Sequence, residues 1–196
     1  MTKLLLIRHG QSEWNAAGRW QGRADPPLTE VGRAQARHAA AALPAFGFLA
    51  ASTLQRARAT ADEIAAATGT TDIYLHDGLV ERDAGAFSGL TRAEIDERFP
   101  GYLDNGIWPE GWEHSEPLVR RVRMALDMVV SRSNGDTVVA VVHGGVIYAL
   151  EGLFGVPHER IGNLGGRWFG MDNGELVLGE RVHLLDKSEE TIPDQL

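Results

Sequence analysis

The sequence predicts an α/β protein, a three-layer α/β/α sandwich around a mostly parallel central sheet. Three observations carry this. Short apolar runs at residues 4–7, 48–51 and 138–142 are bounded by Gly, Pro or polar residues, as buried strands are. Helix-like stretches lie between them, and strands alternating with helices pack as a parallel sheet covered on both faces. The length of 196 residues, 43% hydrophobic and 23% charged, suits a single soluble globular domain.

Each element has its own warrant. Residues 29–43 are Ala-rich, open on Thr29 as N-cap and stop at Pro44. Residues 54–68 place Leu54, Ala57, Ala61, Ile64 and Ala65 on one face and end at Gly69, a natural residue to follow a helix. Residues 72–75 read as a further short strand. Thr91-Arg92-Ala93-Glu94 is a capping box that opens a short helix to Phe99, ended by Pro100-Gly101. The stretch at about 100–116, with Pro109, Trp108 and Trp112, reads as a loop excursion over one end of the sheet. Residues 116–131 set Leu118, Val122, Ala125, Leu126 and Val129 on one stripe, and 146–154 form another helix ended by Gly155. Residues 168–171 and 175–178 flank Asp172-Asn173-Gly174, a hairpin signal. Residues 1–185 thus make one domain, and the acidic polar tail 186–196 is expected to fray.

Composition excludes several functions. Without cysteine there is no disulfide, thiolate nucleophile, iron–sulfur cluster or Cys-type zinc site. A net charge of −8 argues against coating nucleic acid or an anionic membrane, which runs on excess Lys and Arg. No apolar run approaches the roughly 20 residues that span a bilayer. Residues 4–7 are too short for a signal-peptide core, so the expected localisation is cytoplasmic. The average hides an asymmetry: residues 1–58 hold eight basic side chains against three acidic ones, the remainder eleven against 24. Chance in an Arg-rich sequence explains this as well as a local anion site inside an acidic protein.

Two strands end alike, in Arg8-His9-Gly10 and in His143-Gly144-Gly145. Ligands of open α/β sheets bind beyond the carboxyl ends of the strands, which brings both histidines toward one crevice. A single histidine there reads as a structural imidazole; the pair, one preceded by Arg8, points to a site. Arg56 falls in the first turn of a helix, where the dipole prefers acids, and makes better sense facing an anion beside free N–H groups. Glu81, by itself an ordinary surface acid, leads into the Gly-rich loop Arg82-Asp83-Ala84-Gly85-Ala86-Phe87-Ser88-Gly89.

Together these residues resemble a known family. Leu6-Ile7-Arg8-His9-Gly10-Gln11-Ser12-Glu13-Trp14-Asn15 is similar to the motif of the histidine phosphatase superfamily, the phosphoglycerate-mutase-like enzymes. Arg19-Trp20-Gln21-Gly22, Pro27-Leu28-Thr29-Glu30-Val31-Gly32, Ser52…Arg56-Ala57…Thr60, Glu81…Gly85…Gly89-Leu90 and Val142-His143-Gly144-Gly145 follow in family order. The resemblance spans roughly residues 3–150 and implies the phosphoglycerate-mutase-like fold. It implies that His9 is the phosphorylated nucleophile, that Arg8, Arg56 and His143 surround the phosphoryl oxygens, and that Glu81 protonates the leaving group. Asn15 matches a phosphate-contacting position and Gln21 one at the pocket rim, with Gly144 beside the second histidine.

The chemistry agrees. Phosphoryl transfer is catalysed mainly by positioning and electrostatic stabilisation of the equatorial oxygens, which two guanidinium forks and a protonated His143 would provide. A neutral imidazole is a competent nucleophile near neutral pH. Neither a metal nor another cofactor is expected: the other five histidines show no ligand spacing, and His9 and His143 sit beside arginines. There is no Gly-x-Ser-x-Gly elbow for a serine hydrolase.

The expected reaction is metal-independent hydrolysis of a small phosphorylated metabolite through phosphohistidine. The alternatives are a phosphoglycerate mutase and a phospho-ligand binding or regulatory protein; a homodimer is left open. Hydrolysis is favoured because residues 102–116 contain no Lys or Arg to retain a bisphosphorylated intermediate. Where relatives carry Gly-Gly-Glu-Ser, this chain reads Gly111-Trp112-Glu113-His114-Ser115. Trp112 and His114 lie near the leaving group, as a stacking platform for a sugar or other ring, or else Trp108 and Trp112 close the core under a long loop.

Overall fold

Four strands, β1 (Thr2–Arg8), β2 (Phe48–Ser52), β3 (Ile73–His76) and β4 (Val138–Val142), run parallel. The computed structural model describes residues 1–189 and 191. A hairpin, β5 (Gly165–Asp172) and β6 (Glu175–His183), adds antiparallel to β1 and completes one sheet in the order β3-β2-β4-β1-β5-β6. Its loop carries the expected turn chemistry. Asn173 and Gly174 both have positive φ, 48° and 81°, the type I′ geometry that matches strand twist.

The alternation of side chains along the central strands makes the three layers. Leu4 and Leu6 of β1, with Val138, Ala140 and Val142 of β4, pack against α5 (Ser115–Arg132) and α6 (Gly144–Gly152). Leu5 and Ile7, with Val139 and Val141, face the opposite layer of α2 (Glu30–Ala42) and α3 (Gln55–Thr68). Since both faces are covered, the strands read as continuous apolar runs without polar alternation. A third, smaller cluster of Trp20, Ala84, Phe87, Leu90 and Ile95 joins the 84–90 loop to α4 (Arg92–Arg98). The excursion between α4 and α5 is laced to that loop by Ala86 N–H donating to Glu110 O (3.1 Å) and Glu113 N–H donating to Asp83 O (3.0 Å).

Some boundaries differ from the sequence expectation. A four-residue helix, α1 (Glu13–Ala16), follows β1, held by a capping box between Ser12 and Asn15. Helix α6 starts at Gly144, two residues early, because both glycines are helical and buried. Both hairpin strands are longer than expected. The described part of the tail is hydrogen-bonded to the domain. Gln35 Nε2 donates to Glu189 O (2.8 Å), and Asn163 N–H donates to Thr191 O (2.9 Å). Residues 190 and 192–196 of the expected tail lie outside the described residues. No described helix is long and apolar enough to cross a membrane.

Candidate active site

The register pairs Arg8 with Val142 and Ser52 with His76, so four parallel strands end along one edge. His9, the Ser52-to-Arg56 turn, the segment leading to Glu81, and His143 all leave the sheet there, at the carboxyl ends where α/β proteins bind ligands.

The hydrogen bonds define the state of His9. Its Nδ1 lies 2.7 Å from Gly10 O, a carbonyl that only accepts, so Nδ1 carries the proton. Arg56 Nε donates to His9 Nε2 at 3.2 Å, which requires a lone pair on Nε2. Burial, then the charges of Arg56 and Arg8, push the imidazole well below the ordinary 6.5. His9 is therefore a neutral imidazole with its lone pair beside two guanidiniums. The ring of His143 meets it edge-on at 5.2 Å between centroids.

Arg56 is fully buried, and its Nη1 and Nη2 donate to Ala24 O (2.7 Å) and Gly22 O (2.8 Å). Three of its five N–H groups are engaged, leaving two. Burial lowers it to about 10, so it stays charged at neutral pH. At the start of α3 the first N–H is already engaged, Gln55 N–H donating to Asp25 Oδ1 at 2.7 Å. Arg8 Nη1 donates to Ile161 O (2.7 Å). Its Nε, like His143 Nδ1, is buried without a hydrogen-bond partner among the described residues. His143 Nε2 sits 2.8 Å from Ser52 Oγ, which accepts from Leu54 N–H and has its own hydrogen to give. That bond leaves Nδ1–H as the unpaired donor. Buried orphan donors are rare; Arg8 lines the cavity that also holds His9, whereas His143 is not among its lining residues. The expected charge on His143 is a correction: burial, Arg56, His9 and Arg8 hold it well below 6.5, hence neutral, though an arriving dianion would act in the other direction.

Glu81 is fixed by backbone donors. Arg82 N–H donates to Oε1 (2.7 Å) and Gly145 N–H to Oε2 (3.1 Å). A Cβ on Gly145 would collide with Oε1, which explains the glycine. Arg121 of α5 clamps the approach. Nη1 donates to Gly78 O (2.9 Å) and Val80 O (2.7 Å), and Nη2 to Glu81 O (2.9 Å). Its Nε and Nη2 also grip Glu113 at 2.8 and 2.7 Å. Burial pushes Glu113 up, but bonds from Arg121 and Asp83 N–H, with Arg23 nearby, bring it below the usual carboxylate range.

Arg8, His9, Gln21, Arg56, Glu81 and Gly144 line one cavity of about 50 Å³, with Trp112 in its wall. Gln21 Oε1 accepts from Ser12 Oγ (2.8 Å). Asn15 does not line it; its Oδ1 accepts from Ser12 N–H (3.2 Å) and from Asn163 Nδ2 (3.3 Å). His114, exposed at the N-cap of α5, borders a neighbouring chamber instead. Sequence reasoning missed Arg82, Tyr148, Arg121 and Asn163. Asn163 Nδ2 donates to His9 O at 2.8 Å, and Thr191 Oγ1 donates to Asn163 Oδ1 at 2.7 Å. Only the first has a sequence signal, its place next to Glu81.

Known proteins share this arrangement of chain and fold. The chain is 43% identical over 150 residues to a bifunctional protein of Mycobacterium tuberculosis, covering 72% of this chain and 41% of that protein. It therefore spans about two fifths of that relative. Phosphoserine phosphatase 1 of Hydrogenobacter thermophilus is 36% identical over 184 residues, covering 88% of this chain and 83% of that one. A solved mycobacterial glucosyl-3-phosphoglycerate phosphatase, in complex with VO3, superposes with a TM-score of 0.79 at 29% identity, covering 91% of this chain and 98% of that one. The family model of the histidine phosphatase superfamily (branch 1) matches residues 4–178, from the first buried strand into β6. With that span matched, the chain belongs to the histidine phosphatase superfamily, branch 1.

Proposed function

We propose that this chain is a metal-independent phosphomonoesterase that hydrolyses a small phosphorylated metabolite through a phosphohistidine at His9. The observation that carries the reading is the lone pair of His9 Nε2, held beside Arg8 and Arg56 in a cavity that Glu81 also lines. Relatives named as phosphoserine phosphatase and glucosyl-3-phosphoglycerate phosphatase support the substrate class. A cytoplasmic setting goes with a cysteine-free enzyme of small metabolites.

His9 Nε2 attacks phosphorus in line with the ester oxygen; the N–P bond forms and the P–O bond breaks. Arg8, the two uncommitted N–H groups of Arg56 and His143 Nδ1–H stabilise the three equatorial oxygens. The Glu81 carboxyl gives its proton to the departing alkoxide. Water then attacks the phosphohistidine, its proton returns to Glu81, and the N–P bond breaks to release inorganic phosphate. The 99–114 segment supports hydrolysis over phosphoglycerate mutation, because it brings Trp108 and Trp112 to the site's outer wall and only acidic charges.

The test is hydrolysis of p-nitrophenyl phosphate in excess EDTA by the wild type and by His9→Ala. The variant should lose at least a thousandfold in kcat, and brief reaction with labelled ester should leave an acid-labile phosphohistidine at position 9. Label on another residue, or an active His9→Ala, overturns the mechanism.

A further inference from the structure

The cavity that holds His9 is small. At about 50 Å³ it is on the scale of a phosphoryl group rather than of a whole ester. The rest of an ester must lie outside it. A second cavity of about 190 Å³ adjoins the first and shares Arg82, Trp112, Gly145 and Tyr148 with it. It is nearly four times the volume of the first and open to solvent, with room for a ring-bearing group.

Its walls are aromatic. Trp108 and Trp112 stack with centroids 4.2 Å apart and planes within 7°. Tyr148 and His158 form a second pair at 4.6 Å. One pair comes from the excursion before α5, the other from α6 and the loop after it. Trp112 also packs on the small cluster around Phe87, so it has a structural role. Trp108 does not belong to that cluster and remains 37% exposed. An indole that stacks on Trp112, lines this chamber and stays partly exposed offers apolar surface beyond what the cluster uses. Among the residues lining the chamber, Arg82 is the one permanent charge. Its Nη1 donates to Glu113 O (2.7 Å), and its guanidinium lies 5.2 Å over the Trp112 ring. A planar cation so placed extends the stacking surface.

We propose that this chamber binds the leaving group, and that it selects an uncharged, ring-bearing alcohol over an acyclic charged one. Trp108 is its specificity-determining residue. The inference rests on the phosphomonoesterase reading above and names the class of ester. Rings gain contact with indole faces, whereas an acyclic acid gains no stacking and reaches Arg82 only by giving up its water to a mostly apolar lining.

The experiment compares kcat/KM for a purine nucleoside 5′-phosphate, glucose 6-phosphate, phosphoserine and 3-phosphoglycerate, with p-nitrophenyl phosphate as control, for the wild type and Trp108→Ala. Both ring esters should exceed both acyclic ones by tenfold or more, and the order of the two rings separates a flat heterocycle from a saturated sugar. Trp108→Ala should lower the ring-to-acyclic ratio about two- to tenfold, chiefly through KM, with Trp108→Phe between. Preference for the acyclic acids, or a ratio that Trp108→Ala leaves unchanged, overturns the inference while the phosphatase reading stands. No hydrolysis of any ester, the control included, overturns both.

Discussion

Arg121→Met isolates what the clamp on Glu81 contributes. The substitution keeps an unbranched side chain on α5 but withdraws every donor to Gly78, Val80 and Glu81 carbonyls and to the Glu113 carboxylate. Glu113 is only 10% exposed, and its remaining cation, Arg23, reaches it at 3.1 Å from a more exposed position. Breaking a largely buried pair by removing one partner costs about 3–5 kcal/mol. At roughly 2–4 °C per kcal/mol for a chain of this length, Tm should fall by about 10 °C. The catalytic effect should depend on the ester. Freed carbonyls let the Glu81 segment drift, and a general acid is worth about 10²–10⁴ in rate. An alkyl phosphate, whose alkoxide needs a proton, should lose about a hundredfold in kcat. A 2,4-dinitrophenyl phosphate, whose leaving group departs unprotonated, should stay within about threefold. Arg121→Lys keeps the charge but not the fork and should recover little of the alkyl rate. Equal losses on both esters, measured below the transition temperature, would refute the reasoning and make Arg121 a purely structural residue.

Two further outcomes follow from the same geometry. Gly145→Ala drives a methyl into Glu81 Oε1, the mobile end of a side chain. The carboxylate moves aside, so alkyl-ester kcat should fall tenfold to a hundredfold while Tm shifts by no more than about 3 °C, about 1 kcal/mol; a large Tm loss with full activity would contradict this. Stability should also fall with pH below about 6.5. His9 and His143 are held neutral in the fold and titrate near 6.5 when unfolded, so the unfolded chain binds more protons between 6.5 and their depressed folded values. Urea unfolding at pH 7.5 and 5.5 measures this, and His143→Asn should reduce the slope; a wild type equally stable at both values would show that the imidazoles carry charge in the fold.

How far the sequence disclosed this molecule depends on whether a residue acts through its neighbours in the chain or through distant ones. The buried strands announced themselves because both faces are covered, and the Thr91 capping box was visible because its partners lie three residues apart. Helix α1 was missed since four residues show no periodicity and its cap uses Asn15, which the family resemblance assigned to phosphate. The Gly144-Gly145 pair looked like loop, although Gly144 begins a helix and Gly145, its second residue, yields room to a carboxylate from 64 residues away. Arg121 lies among Arg120 and Arg123, off the apolar stripe of its helix. Nothing local distinguishes the arginine whose donors all find partners in the fold.

The two ends of the chain are unequal handles. Met1 pairs with Asp172 at the start of β1, and at about 3.3 Å per residue the strand carries the chain about 20 Å before it reaches His9. At the other end, Thr191 holds Asn163, and Asn163 holds the carbonyl of His9 itself. A fusion partner or surface tether belongs at Met1. Pulling on the chain beyond Thr191 strains a two-bond relay to the nucleophile, so the choice of terminus decides whether an assay reports the enzyme or its attachment.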